Sequence, residues 1–87
     1  MKHTLYFQCT VKIASHPTGV KIYKNEDDGF ITWSFELSHY YRDAADGTVY
    51  HPGSGSVDTT LEGLVFKLNL YAERFHQIVE VEQNSNF

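Results

Sequence analysis

The chain has one cysteine, Cys9, among its 87 residues. That excludes an internal disulfide framework and any cysteine-rich zinc centre. Cys9 falls on the apolar side of a strand pattern, where a thiol serves as a small buried hydrophobe. Long apolar runs are missing as well. None approaches the roughly 18 residues of a membrane-spanning helix, and Met1 to Gln8 lacks the extended apolar core of a secretory signal. A complete small cytoplasmic protein is therefore expected. Positive charge is scarce and dispersed: Lys2, Lys12, Lys21, Lys24, Arg42, Lys67 and Arg74 form no stripe, and the formal net charge is −4. Clustered Lys and Arg carry most nucleic-acid affinity, so direct nucleic-acid binding is not expected. No internal repeat occurs, and residues 1–87 read as a single domain of a size that closes one core.

What is present is, first, one amphipathic helix expected over Asp58 to Phe75. Leu61, Leu64, Val65, Leu68, Tyr71, Ala72 and Phe75 recur at intervals of three and four. At about 100° per residue they fall on one stripe. Asp58 or Thr59 is the expected cap, and Thr59-x-x-Glu62 has the spacing of a capping box. Asp58 and Glu62 suit the positive end of the helix dipole, Arg74 and His76 the negative end.

Strand patterns come before it. Thr4 to Ala14 alternates, with Leu5, Phe7, Cys9, Val11 and Ile13 on one side and Thr4, Tyr6, Gln8, Thr10 and Lys12 on the other. Ser15 to Gly19 reads as a turn built on Pro17 and Gly19. Val20 to Lys24 is a second strand, closed by Asn25-Glu26-Asp27-Asp28-Gly29, whose Asp-Gly step is a strong hairpin signal. Phe30 to Tyr41 is the third and longest strand, turning Trp33 and Phe35 toward the helix. Ala45-Asp46-Gly47 is a turn, Thr48 to His51 a short fourth strand, and Pro52 to Ser56 a flexible crossover. Ile78 to Glu82 offers a short final strand, and Gln83 to Phe87 is expected to fray. The expected fold class is α+β: an antiparallel β-meander of about four strands packed against one C-terminal amphipathic helix, with its other face wet.

Motifs that carry chemistry are few. The five histidines, His3, His16, His39, His51 and His76, show neither helical i,i+4 pairing nor the strand spacing of a zinc site. Only His39 and His51 are expected to approach, near Asp43 or Asp46. Ser38 and His39 are strand neighbours and should face opposite ways. The Gly53-Ser54-Gly55-Ser56 loop leads into a helix but lacks the lysine of a P-loop and any dinucleotide fingerprint. No catalytic residue, metal or cofactor is expected, and the turn acids read as solvated.

Two surfaces stand out. The wet sheet face carries the rings of Tyr6, Tyr23, Phe30 and Tyr40 among small polar residues, an arrangement suited to protein binding. Together with Glu36 and the acidic turn Glu26, Asp27 and Asp28 they form the expected contact surface, for a partner with a basic surface. On the back of the helix, Gly63, Phe66 and Leu70 are expected to meet either a second copy of the chain, as a homodimer, or the crossover loop with Val49, Tyr50 and Val57 or the tail with Phe87 folded over them. A glycine inside a helix costs about 1 kcal/mol relative to alanine and admits a second backbone. The functional expectation is a non-enzymatic protein-binding module that inhibits a nucleic-acid-handling partner. In size and charge alone the chain resembles the small acidic anti-CRISPR and anti-restriction proteins of phages and mobile elements. The alternative is a small oligomeric enzyme or ligand-binding protein with a site between sheet and helix, near His39, Tyr41, His51 and Tyr71.

Overall fold

In the computed structural model, which describes residues 1–87, the first hairpin sets the length of the molecule. Its strands β1 (Lys2–Ile13) and β2 (His16–Asp27) have twelve residues each. That is about 40 Å of extended chain, and the longest dimension is 42 Å. The two strands meet through a two-residue turn, Ala14-Ser15, with Ile13 opposite His16. Both turn residues have positive φ, 47° and 69°, which matches the twist of the flanking strands and favours Asn-Gly. The turn expected over Ser15 to Gly19 therefore lies earlier, and His16 to Gly19 are strand. Pro17 is tolerated there because the third strand pairs with β2 only from Val20 onward.

The second hairpin follows its sequence signal. β3 (Phe30–Leu37) pairs with β2 from Val20 opposite Leu37 to Asp27 opposite Phe30. Asp28 and Gly29 supply the two positive φ values, 49° and 83°. The expected run to Tyr41 breaks at Ser38. Ser38 N donates to Gly19 O at 2.9 Å, Ser38 Oγ accepts from Gly19 N at 2.7 Å, and Ser38 O accepts from Asn84 N at 2.8 Å. Beyond that bend, β4 (His39–Asp43) leaves the main sheet.

The expected fourth strand over Thr48 to His51 shrinks to a single bridge between Tyr41 and Tyr50. The main sheet is completed instead by β5 (Val57–Asp58), two residues paired with Trp33 and Ser34. α1 (Leu61–Glu73) follows and is shorter than its apolar stripe implies. Asp58 is held in β5, so the cap is Thr60, whose hydroxyl accepts from Gly63 N at 3.0 Å. The Thr59 capping box does not form. β6 (Ile78–Gln83) pairs antiparallel with β4. The α+β class expected from the sequence holds: a four-stranded antiparallel sheet, one helix and a final strand. No helix is long and apolar enough to cross a membrane.

Leu64, Leu68, Tyr71 and Phe75 pack on Ile13, Val20, Ile22, Phe35, Leu37 and Tyr41. Val65, expected on the stripe, is turned outward. The tail does not fray. Asn84 Nδ2 donates to Leu37 O at 2.9 Å and Lys21 Nζ donates to Phe87 O at 2.9 Å. The Phe87 ring covers Gly19, where a Cβ would stand 2.9 Å from it.

Replacing Ala14-Ser15 by Asn-Gly should relieve two unfavourable φ values and stabilise the fold by about 1 kcal/mol. The thermal midpoint should then rise by roughly 4–8 °C. Leu64→Ala, at a fully buried position, should cost about 3 kcal/mol. A loss under about 1 kcal/mol would mean that α1 does not close the core.

Candidate protein-binding surface

Thirteen helical residues span about 20 Å, half the length of the strands beneath them. The helix closes over Val20, Ile22 and Phe35, and past Trp33 the ends of β1, β2 and β3 project as an arm. Phe30 and Ile31 are exposed on that arm, Phe30 at 78 %, and Leu5, Tyr6 and Phe7 are exposed on the edge strand beside it, level with Tyr23 and Ile22.

Local geometry decides which side each ring takes. β1 bulges at Tyr6: Leu5 opposes Tyr23 and Phe7 opposes Ile22, with Tyr6 skipped. One extra residue reverses the alternation on that strand. Leu5 therefore shares the outer face with Tyr23, not the core side expected for it. Tyr6 leaves the wet face and meets Trp33 edge-on on the helix side, with centroids 4.9 Å apart. Tyr23 keeps the outer face, where His3 stacks on it at 4.2 Å and also bonds Asn25.

At the tip, Asp27 opposes Phe30, Asp28 occupies the turn, and Glu26 opposes Ile31 on the reverse face. None of these three carboxylates has an ion-pair partner. Lys2 stands opposite Glu26 in register and Lys24 one row back, but the Lys24 ammonium lies over Trp33 at 5.9 Å. Glu36 and Tyr40 sit at the far end of the outer face. Lys21, the residue opposite Glu36, is six positions from Asp27, about 20 Å along the strand. Tyr40 packs edge-on against His51 at 4.6 Å, and His51 Nε2 lies 3.1 Å from Glu82 Oε1. Burial, then the carboxylates of Glu36 and Glu82, push the Tyr40 phenol above its usual range. The expected contact surface thus divides into a tip patch and a Glu36–Tyr40 patch.

His39 and His51 fall in different clusters. His51 lies with Tyr40, whereas His39 Nδ1 is 2.8 Å from Ser38 Oγ and its ring faces His16 at 5.7 Å. Ser38 and His39 touch because the bend suspends the strand alternation that would have kept them apart. His16 Nδ1 reaches the Tyr41 hydroxyl at 3.1 Å, and Thr18 bonds the same oxygen. This buried polar group was not legible while His16 to Gly19 were read as a turn. A two-residue turn at Ala14-Ser15 would have placed Thr18 opposite Val11 and therefore inside. No group of three His, Cys, Asp or Glu residues is arranged to hold a metal.

On the helix back, Gly63 has a reason within the chain. The Asp58 carboxylate fills the space a Cβ would take, with Oδ1 at 2.6 Å. Asp58 accepts from Thr60 N at 3.1 Å and faces Lys67 Nζ at 3.3 Å. The Thr60 amide first, and Lys67 after it, hold this carboxyl below its usual range. Phe66 remains 63 % exposed and Leu70, one turn on, is also exposed. No family model matches the chain, and no curated protein or solved structure does either.

Alkaline pH probes the packing behind these patches. Burial raises the phenols of Tyr41 and Tyr71 above the ordinary value of about 10. The folded chain therefore keeps protons that the unfolded chain releases. This contribution is complete below about pH 10 and is lost as the pH climbs toward the raised folded values. Thermal midpoints should hold steady to about pH 9 and then fall, and Tyr71→Phe should flatten the fall. A profile unchanged by that substitution would assign the alkaline loss elsewhere.

Proposed function

We propose that the chain is a small acidic, non-enzymatic protein-binding module. It covers a basic surface on a nucleic-acid-handling partner, in the manner of the anti-CRISPR-like inhibitors encoded by phages and mobile elements. The observation that carries this reading is the projecting arm tip. Two carboxylates without ion-pair partners, Asp27 and Asp28, flank the exposed Phe30 ring, and a third, Glu26, stands on the reverse face of the same tip. Unpaired charges speed and orient encounter with an oppositely charged surface. An exposed ring beside them supplies the apolar anchor on which protein contacts depend. The Glu36–Tyr40 patch extends the contact for a partner that spans the outer face.

The alternative, a small enzyme or ligand-binding protein with a site around His39, Tyr41, His51 and Tyr71, has less support. His39 and His51 belong to different clusters, and Tyr41 is fully buried with its hydroxyl bonded to Thr18 and His16.

The test is capture from a host lysate by the wild type, by Asp27→Lys with Asp28→Lys, and by Phe30→Ala. A basic nucleic-acid-handling protein should be retained by the wild type and lost about tenfold or more with each variant, equivalent to about 1.4 kcal/mol. Thermal stability should fall by no more than about 1 kcal/mol, most of it from placing Lys at the positive-φ position of Asp28. Undiminished capture by the charge-reversed protein would remove the tip from the contact. Retention of an acidic protein would refute the basic partner.

A further inference from the structure

Away from the arm, the flank of α1 and the crossover loop enclose a cleft of about 170 Å³. Its walls are Tyr50, Pro52, Leu70 and Tyr71, with Lys67 at one end, Arg74 at the other and no carboxylate between them. We propose that this cleft is a binding site for a small aromatic carboxylate, with the acid group on Arg74 and the ring between the tyrosines and Leu70. The proposal stands apart from the protein-binding role of the arm.

The guanidinium carries the argument. Its Cζ lies 3.6 Å from the centroid of the Tyr50 ring, a cation–π contact that restricts how the guanidinium can turn. The carboxylate paired with it, Asp46, is 3.7 Å away, beyond hydrogen-bond reach. Arg74 therefore keeps its N–H fork for a planar acid group, which guanidinium binds in bidentate fashion. Lys67, two turns along the helix and about 10 Å away, is less available. Its ammonium donates to Val57 O at 2.7 Å and faces Asp58 at 3.3 Å. It bounds the far end of the cleft.

The remaining walls offer apolar surface. Tyr71 donates its hydroxyl to Tyr50 O at 2.9 Å, so that oxygen makes no demand on a ligand. The two tyrosine rings lie 5.5 Å apart at an interplanar angle of 31°, presenting a broad aromatic wall. The volume limits the guest to one ring: a cavity of about 150 Å³ takes a benzene-sized molecule, and drug-sized ligands need roughly 300 Å³ or more. A bare inorganic anion would leave the apolar walls wet, and a neutral ring would leave the Arg74 fork unused.

The probes are benzoate, its neutral counterpart benzyl alcohol, and acetate, each titrated at neutral pH and fixed ionic strength into the ¹⁵N-labelled protein. Benzoate should shift the amides of Gly55, Leu70 and Arg74 saturably, with a dissociation constant in the millimolar range or tighter. Benzyl alcohol and acetate should each bind about tenfold more weakly or worse. Arg74→Gln should abolish saturation, while Arg74→Lys should retain only part of it because the fork is lost. Non-saturating shifts, or shifts spread equally over Lys2 and Lys12, would overturn the site. Equal binding of benzyl alcohol or acetate would overturn the assigned chemistry. If Arg74→Gln does not fold, the comparison of the three probes on the wild type decides the question by itself.

Discussion

A residue advances the chain by about 1.5 Å in a helix and about 3.3 Å in a strand, so the thirteen residues of α1 cover half of what twelve residues of β1 or β2 span. The division of the molecule follows from that mismatch. Where helix and sheet overlap, apolar residues on both layers have partners and a core forms. Where the strands outrun the helix, neither face has a cover. Side chains at that end must tolerate water, and the apolar ones that remain, Phe30 above all, are free to meet another surface. The core is small, with ten buried apolar residues, and no buried side-chain nitrogen or oxygen lacks a partner.

Ser38 closes the opposite end. Had the strand continued straight to Tyr41, that ring would have stayed in the main sheet beyond the helix. The bend instead carries β4 around, so that Tyr41 packs edge-on against Phe75 at 5.7 Å and Phe75 against Tyr71 at 5.0 Å. Three rings plug the core, and their size compensates for the few aliphatic residues available. Each hydroxyl in the plug is satisfied from a different segment: Tyr41 by His16 and Thr18, Tyr71 by the Tyr50 carbonyl. The polar cost of burying tyrosine is thereby met by ties that also fix the crossover and the first hairpin. Gly19 belongs to the same junction. It takes both Ser38 hydrogen bonds and leaves room for Phe87 to seal the bend.

Much of this was legible because apolar spacing is a direct record of burial. The helix stripe, the long alternation in β1, the Asp28-Gly29 turn and the final strand at Ile78 could all be read from it. What escaped were places where the backbone departs from its period without a residue that signals the departure. Ala14-Ser15 adopts a turn usually filled by Asn-Gly, while Pro17 and Gly19 nearby are the residues that ordinarily mark one. The bulge at Tyr6 has no glycine, so the alternation reads straight through and assigns Leu5 and Tyr6 to the wrong faces. At Ser38 the pattern again continues across the break, because β4 alternates in phase with β3 while pairing elsewhere. The surface suffered most: one shifted register moved Tyr6 off the wet face, and the distance from Asp27 to Glu36 split a patch that composition had joined.

Charge placement adds what net charge does not. Of the seven cations, Lys21 lies on Phe87, Lys24 over Trp33, Arg42 on Glu80, Lys67 on Asp58 and Arg74 on Tyr50. Lys2 and Lys12 have no such partner, and of the other five Arg74 keeps its hydrogen-bond donors free. Among the acids, Glu26, Asp27, Asp28, Glu36, Glu62 and Glu73 have no ion-pair partner, and Asp43, also without one, is buried. Charges available to a second molecule are therefore more one-sided than the total of −4 implies. A partner approaching the arm tip breaks no existing ion pair, so its cations gain attraction at the cost of desolvation alone, and that cost is lowest at an exposed rim. Such a rim sets the rate and direction of encounter. Affinity must then come from what the rim surrounds, and at the tip that is the Phe30 ring.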